Sequence, residues 1–400
     1  MARARALPGM EKIVVVKRVL PRLAALPDFV EMFLDEARIA IGLQHPNIVQ
    51  THDVETVDGD HLLVMEYLHG EDLRSLLRAL RARGRKPSLG HAIDIALGVL
   101  AGLHYAHEKV GLDGQPLDIV HRDVTPQNVI VTYDGGVRLL DFGIAKSANR
   151  AGSETKCGTV KGKTGYMSPE QCRGEPLDRR SDIFSLGILL YELATARWLY
   201  RGPNEFEVFK QIIEGPVPSA RLIDPAFPER LDAVIRRALA KEPADRYQTA
   251  REMARDLEAV AQAMGMSRSE IALSSYMEEI FGRKVEAWRE ALRDRANLAE
   301  RIAALHEAPP ADEPGENTGP NGREGDVGLV MRRKGDDIDP RRGRPSYPRV
   351  QAVAPRVVPD EDLSSHEEFT AFDIARTPTV PVSILPLLAA LRPAPVTQPA

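Results

Sequence analysis

The chain has 400 residues, 43% of them apolar and 28% charged, with a net charge of −5. That length exceeds one hydrophobic core and predicts a large domain plus further segments, while the mild acidity gives no electrostatic footprint for nucleic acid. Cys157 and Cys172 are the only cysteines, so no disulfide framework is expected and a reducing, cytoplasmic setting is. In chain order, IVVVK (13–17) and HLLVMEYL (61–68) read as strands, with a helix between them over DFVEMFLDEARIAIGLQ (28–44). Helical patterns dominate from about residue 89, interrupted by VIVTY (129–133) and VRLL (137–140), whose intervening DGG predicts a hairpin. Another helical stretch covers 267–305, and the Pro-, Gly- and acid-rich APPADEPGENTGPNGREG after it predicts disorder, with a proline-rich tail to residue 400. Glu11 and Lys12 interrupt any signal-peptide core, and VPVSILPLLAAL (380–391) is too short to span a bilayer.

The hairpin brings two oxygen-bearing side chains together. Asn128 precedes its first strand and Asp141 follows its second, so both lie at one end, with Asp123 a few residues upstream. Hard oxygen donors on a rigid platform suit Mg²⁺, and a carboxylate not needed by the metal suits proton acceptance from a hydroxyl. DGG alone would be a solvated turn; the constellation asks for more. Earlier in the chain, Glu36 falls on the helix face of Phe29, Met32, Phe33, Ala40 and Leu43. A carboxylate on a buried stripe needs a partner, and Lys17, alternating with Ile13 and Val15 on the preceding strand, is the candidate.

With these residues in place, the sequence resembles the eukaryotic-like, Hanks-type bacterial serine/threonine protein kinases, over roughly residues 10–262. Lys17 resembles the phosphate-anchoring lysine and Glu36 its helical partner. MEYLHGEDL (65–73) is similar to the hinge: Met65 as gatekeeper, Glu66 to Leu68 offering backbone bonds to adenine, Asp72 at the nucleotide's edge. HRDVTPQN (121–128) resembles the catalytic loop, with Asp123 orienting the hydroxyl and Arg122 available to an activating phosphate on Thr159 or Thr155. Asn128 and Asp141, the latter in DFG (141–143), are the implied magnesium ligands. Thr164 resembles the residue bridging the catalytic aspartate to the substrate-docking loop. Asp182 resembles the anchor of the catalytic loop, and Glu170 of SPE the partner of Arg246. Pro126 and KTGYMSPE (163–170) are closer to serine/threonine than tyrosine kinases, and GLDGQPLD before the loop is similar to myxobacterial kinases.

Two departures bear on activity. The family's lysine two residues after the catalytic aspartate is Thr125 here, and the tyrosine-kinase alternative position is Gln127. Loss of one charged donor costs up to about 10²–10³ in rate unless another cation, Lys161 or Lys163, takes over. Second, MARARALPGMEK holds a single glycine. The chain then begins inside the family's second strand, with the first strand and the G-x-G-x-x-G loop missing, the expectation for an N-terminal truncation. GKT (162–164) is not a P-loop, since Cys157 stands where that motif needs glycine.

The resemblance implies an α+β, two-lobed fold. Its kinase domain is expected over 1–262 (small lobe about 1–66, large lobe about 69–262), then a helical extension over 263–306 and a disordered tail over 307–400. It implies ATP and Mg²⁺ as cofactors, protein substrates including the chain itself, and no membrane span. The extension either packs back on the large lobe or offers a self-association face. The rival reading is a pseudokinase scaffold; a non-functional fragment is the third.

Overall fold

The computed structural model describes residues 2–7, 10–19, 24, 26–57, 60–142, 163–266 and 268–293. Its small lobe is a four-stranded antiparallel sheet in the order β1 (Ala2–Leu7), β2 (Met10–Arg18), β4 (Asp60–Glu66), β3 (Thr51–Val57). The β-branched run Ile13–Val16 suits a strand with both faces covered. Val14 and Val16 meet Val64 on one face. Val15 turns to the other, where Phe33 and Ala37 of helix α1 (Pro27–Gly42) pack with Leu63 and Met65. Lys17, two residues on from Val15, shares that helix-facing side. Among the described residues one strand, β1, precedes the lysine strand β2. Strand β4 ends at Glu66, two residues short of the expected Leu68, because Gly70 opens a second sheet.

That second sheet, β5 (Gly70–Asp72), β6 (Val129–Thr132) and β7 (Val137–Leu139), carries the predicted hairpin. Gly135 holds φ +92° in its turn, and a Cβ there would also collide with the Glu270 carbonyl, so both backbone and packing demand glycine. The backbones of Asn47 and Val49 bond to Leu139 at 2.9 Å each, joining the segment after α1 to this sheet.

The large lobe is helical: α2 (Leu73–Ala82), α3 (Leu89–His107), α4 (Pro169–Arg173), α5 (Arg179–Thr195), α6 (Glu205–Ile213), α7 (Glu229–Ala238), α8 (Ala250–Ala263) and α9 (Glu270–Arg293). Polar side chains cap most of them: Asp72, Ser88, Ser168, Asp178, Asn204 and Thr249 each accept a first-turn backbone N–H. Helices α3 and α5 are apolar nearly all round, and both run through the core. Among the described residues α3 alone is long and apolar enough to cross a membrane; its burial inside this lobe accounts for that composition. Helix α9 breaks helical geometry at Phe281 (φ −121°, ψ 19°). Its stripe of Leu273, Tyr276, Met277, Ile280, Phe281 and Val285 joins the same core as α3 and α5. Packing back on the large lobe, one of the two expected uses of this helix, is seen over its described residues. Residues 294–400, including the expected tail, lie outside those described.

Candidate active site

The loop 121–128 hangs from one buried carboxylate. Asp182, in the first turn of α5, accepts the backbone N–H of His121 and of Arg122 and the ring Nε2–H of His107, all at 2.8 Å. Such bonds to an ionised acceptor are strong, and they hold Arg122 at φ +66°, a strained conformation for a residue with a Cβ. His121 is fully enclosed, and burial lowers its pKa, so the ring is neutral. Its Nε2 donates to the Leu140 carbonyl at 2.8 Å, which leaves Nδ1 to accept the Asp123 N–H at 3.2 Å. Phe142 packs against the same ring, centroids 4.6 Å apart. The neutral imidazole thus ties Asp123 to the residue preceding Asp141.

Asn128 lies in the 3₁₀ turn Pro126–Asn128 and donates its Nδ2 to both the carbonyl and Oδ2 of Asp123, at 2.8 Å each. With its amide nitrogen so engaged, the Asn128 oxygen is the atom offered outward. Asp141, at φ +48°, meets the Lys17 ammonium at 3.1 Å, and Glu36 meets it from the other side at 3.7 Å. Burial opposes the charge on Lys17, but the attraction of Asp141 and then Glu36 outweighs it and holds the ammonium above its ordinary pKa. The five residues singled out from the sequence therefore converge: Lys17–Glu36 and Lys17–Asp141 as ion pairs, Asp123–Asn128 as a hydrogen-bonded pair. No cluster of three or more His, Cys, Asp or Glu suited to a metal occurs among the described residues. Magnesium does not need one: the oxygens of Asn128 and Asp141, completed by phosphate and water, fit it.

At the hinge, Met65 is buried, and the cavity behind it, bounded by Glu36, Thr51 and Phe142, is only about 10 Å³. That space holds no more than a water, so Met65 closes the back of the cleft. Glu66 engages its N–H with the Gln50 carbonyl at 2.9 Å and its side chain with the Gln50 N–H at 2.7 Å. The Glu66 N–H is therefore engaged between the strands, where β4 still pairs. Leu68 lies in the three-residue link to β5. Asp72 caps α2 through the Ser75 N–H at 2.6 Å, and burial raises its pKa. Sequence reasoning missed what lies behind this hinge. Glu71 is buried and meets the Tyr133 hydroxyl at 2.7 Å and Lys284 of α9 at 2.9 Å, while Trp288 stacks on His69 at 3.6 Å.

On the segment leading to α4, Lys163 brings its Nζ within 3.4 Å of Asp123 Oδ2. Thr164 is buried as the first residue of the 3₁₀ turn Thr164–Tyr166. Downstream, Arg246 grips Glu170 through two parallel bonds of 2.7 and 2.8 Å, and Ser181 adds a third at 2.6 Å. Burial alone would raise the Glu170 pKa; the Arg246 bonds and charge outweigh it and lower it. Thr155, Thr159, Cys157 and Gly143 lie outside the described residues, so the expected phosphorylation partners of Arg122 do too.

The sheet-and-helix architecture, the Lys17–Glu36 pair and the loop anchored on Asp182 define the two-lobed α+β kinase fold. The protein kinase domain family matches residues 7–257, and the chain belongs to that family. Among curated relatives it is similar to Tyrosine-protein kinase MasK of Myxococcus xanthus, 38% identical over 356 residues, 88% of this chain and 54% of MasK. It is also 38% identical to Serine/threonine-protein kinase PknB of Mycolicibacterium smegmatis over 254 residues, 62% of this chain and 39% of that protein. The chain thus spans about half or less of the length of these relatives. Among solved structures, the Mycobacterium tuberculosis PknI kinase domain is 28% identical, with TM-score 0.48, covering 65% of this chain and 88% of that one.

Proposed function

We propose that this chain transfers the γ-phosphate of ATP to serine or threonine hydroxyls of proteins, its own included, in the cytoplasm. The observation that carries this reading is the double ion pair of Lys17 with Glu36 and Asp141, set beside the Asp123–Asn128 pair. Lys17 holds the nucleotide phosphates and Glu36 fixes its direction. Asp123 accepts the acceptor's proton as the hydroxyl oxygen bonds to the γ-phosphorus. The bond from that phosphorus to the bridging oxygen breaks, and ADP leaves with the electron pair. Asn128 and Asp141 would hold Mg²⁺, which when bound neutralises charge on the phosphate oxygens. Arg122 is the residue to receive an activating phosphate, and Thr159 is favoured over Thr155 as its source. The Ser/Thr assignment is supported by Pro126 and by the names of relatives such as PknB.

Two observations favour other readings. MasK, the relative matched over most of this chain, is named a tyrosine kinase. Thr125, uncharged where the family carries a lysine, favours a kinase-shaped scaffold. Incubation with γ-³²P-labelled ATP, magnesium and casein, followed by phosphoamino-acid separation, distinguishes all three. Label in phosphoserine or phosphothreonine is expected; label confined to phosphotyrosine would overturn the acceptor assignment, and no label would favour the scaffold.

A further inference from the structure

Thr125 cannot do what a lysine at its position would do for a transferring phosphate. It is 3% exposed, it carries no charge, and its hydroxyl finds no hydrogen-bond partner among the described residues. A kinase built this way lacks one cation at the point where charge gathers on the phosphoryl oxygens, unless another part of the chain delivers it. Lys163 stands at that point. Its ammonium lies 3.4 Å from Asp123 Oδ2, the oxygen that also accepts the Asn128 amide, with the lysine side chain 23% exposed and Asp123 11%. A lysine is a point charge on a flexible four-carbon stem, so from this position it reaches a phosphoryl group in line with a hydroxyl held by Asp123.

The placement is built, because the backbone around Lys163 is tied to the same scaffold as the loop it serves. Lys163 precedes the 3₁₀ turn Thr164–Tyr166. The Tyr166 carbonyl accepts the Ser185 hydroxyl of α5 at 2.7 Å, and the Tyr166 hydroxyl donates to Glu192 of the same helix at 2.8 Å. Ser168 and Gln171 form a reciprocal capping box on α4, and the Gln171 side-chain amide donates to the Arg122 carbonyl, adjacent to Asp123, at 2.9 Å. The segments carrying Lys163 and Asp123 are therefore both bonded to one support, α5.

Building on the phosphotransfer reading above, we infer that Lys163 is a catalytic residue: it supplies from the substrate-side segment the cation that Thr125 no longer supplies from the catalytic loop. In the ground state it shares the Asp123 carboxylate. During transfer it stabilises the phosphoryl oxygens, with the proton still passing to Asp123.

The test compares wild type, Lys163→Met, Lys163→Arg, Thr125→Lys with Lys163→Met, and Asp123→Asn in steady-state transfer from Mg-ATP to casein, with thermal melts alongside. Lys163→Met should lower kcat by about 10²-fold or more with KM for ATP changed by less than about threefold, since the cation acts on transfer and not on nucleotide capture. Thr125→Lys in that background should restore at least about tenfold, and Lys163→Arg, which keeps the charge and the fold, should retain most of kcat. Full activity in Lys163→Met overturns the inference while leaving the kinase reading intact. So does a loss that Thr125→Lys does not relieve at an unchanged melting temperature. Wild type no more active than Asp123→Asn overturns both.

Discussion

Arg246 shows how much one side chain carries at this depth. It is 1% exposed, forms the paired bonds to Glu170, and gives its remaining N–H groups to the carbonyls of Arg180, Ala240 and Lys241. Arg246→Ala leaves the buried Glu170 carboxylate without its cation and three carbonyls without this donor, and should cost about 3–5 kcal/mol in urea unfolding. An unchanged midpoint would contradict it. Glu192 carries the opposite kind of tension. Burial raises its pKa from an ordinary 4.5 to about 7, against the lowering effects of Tyr166, Leu199 and Arg81. The native state then binds a proton that the unfolded chain has released, so stability is fully present below about pH 4.5 and falls as pH rises through about 7, by about 3 kcal/mol in all. Glu192→Gln should remove that portion of the slope between pH 5 and 8. At this scale the sequence was legible where motif spacing ties a residue to a partner, as for Lys17 and Glu36.

Among elements, α9 changes most between sequence and structure. Its helical period was plain, but its partners were not, since Glu71 and Lys284 are separated by 213 positions and no local pattern links them. The helix anchors three consecutive features of the site's rear wall: Ser274 bonds the Tyr133 carbonyl at 2.6 Å, Lys284 pairs with Glu71, and Trp288 stacks on His69. Arg83 reaches back from α2 to the Ile280 carbonyl at 2.8 Å. Lys284→Met should destabilise by about 3 kcal/mol, because Glu71 is then a buried charge without its cation, while Glu71→Gln with Lys284→Met should recover much of the loss. A double-mutant cycle in denaturant reads both; additive losses would contradict the pairing. Because Glu71 and His69 flank the hinge, truncation after residue 263 should also weaken Mg-ATP binding in calorimetry. Equal affinity in the truncated chain would show that the hinge stands without α9.

For the molecule as a whole, the site is a cluster to which both lobes contribute. Lys17 and Glu36 come from the sheet and α1, Asp123, Asn128 and Asp141 from the large lobe, and the 3.1 Å Lys17–Asp141 contact joins them. The two-lobed architecture was legible because ordered motifs fix which elements must come together. The tertiary seams were not, since packing of α9 and the 3.4 Å approach of Lys163 depend on distances between distant segments. The proposed transfer depends on Asp123 accepting the hydroxyl proton. Intact mass of the purified chain after incubation with Mg-ATP, beside Asp123→Asn, tests this most directly. Added phosphates in wild type and none in the variant are predicted. Equal masses in the two, with or without phosphate, would contradict it.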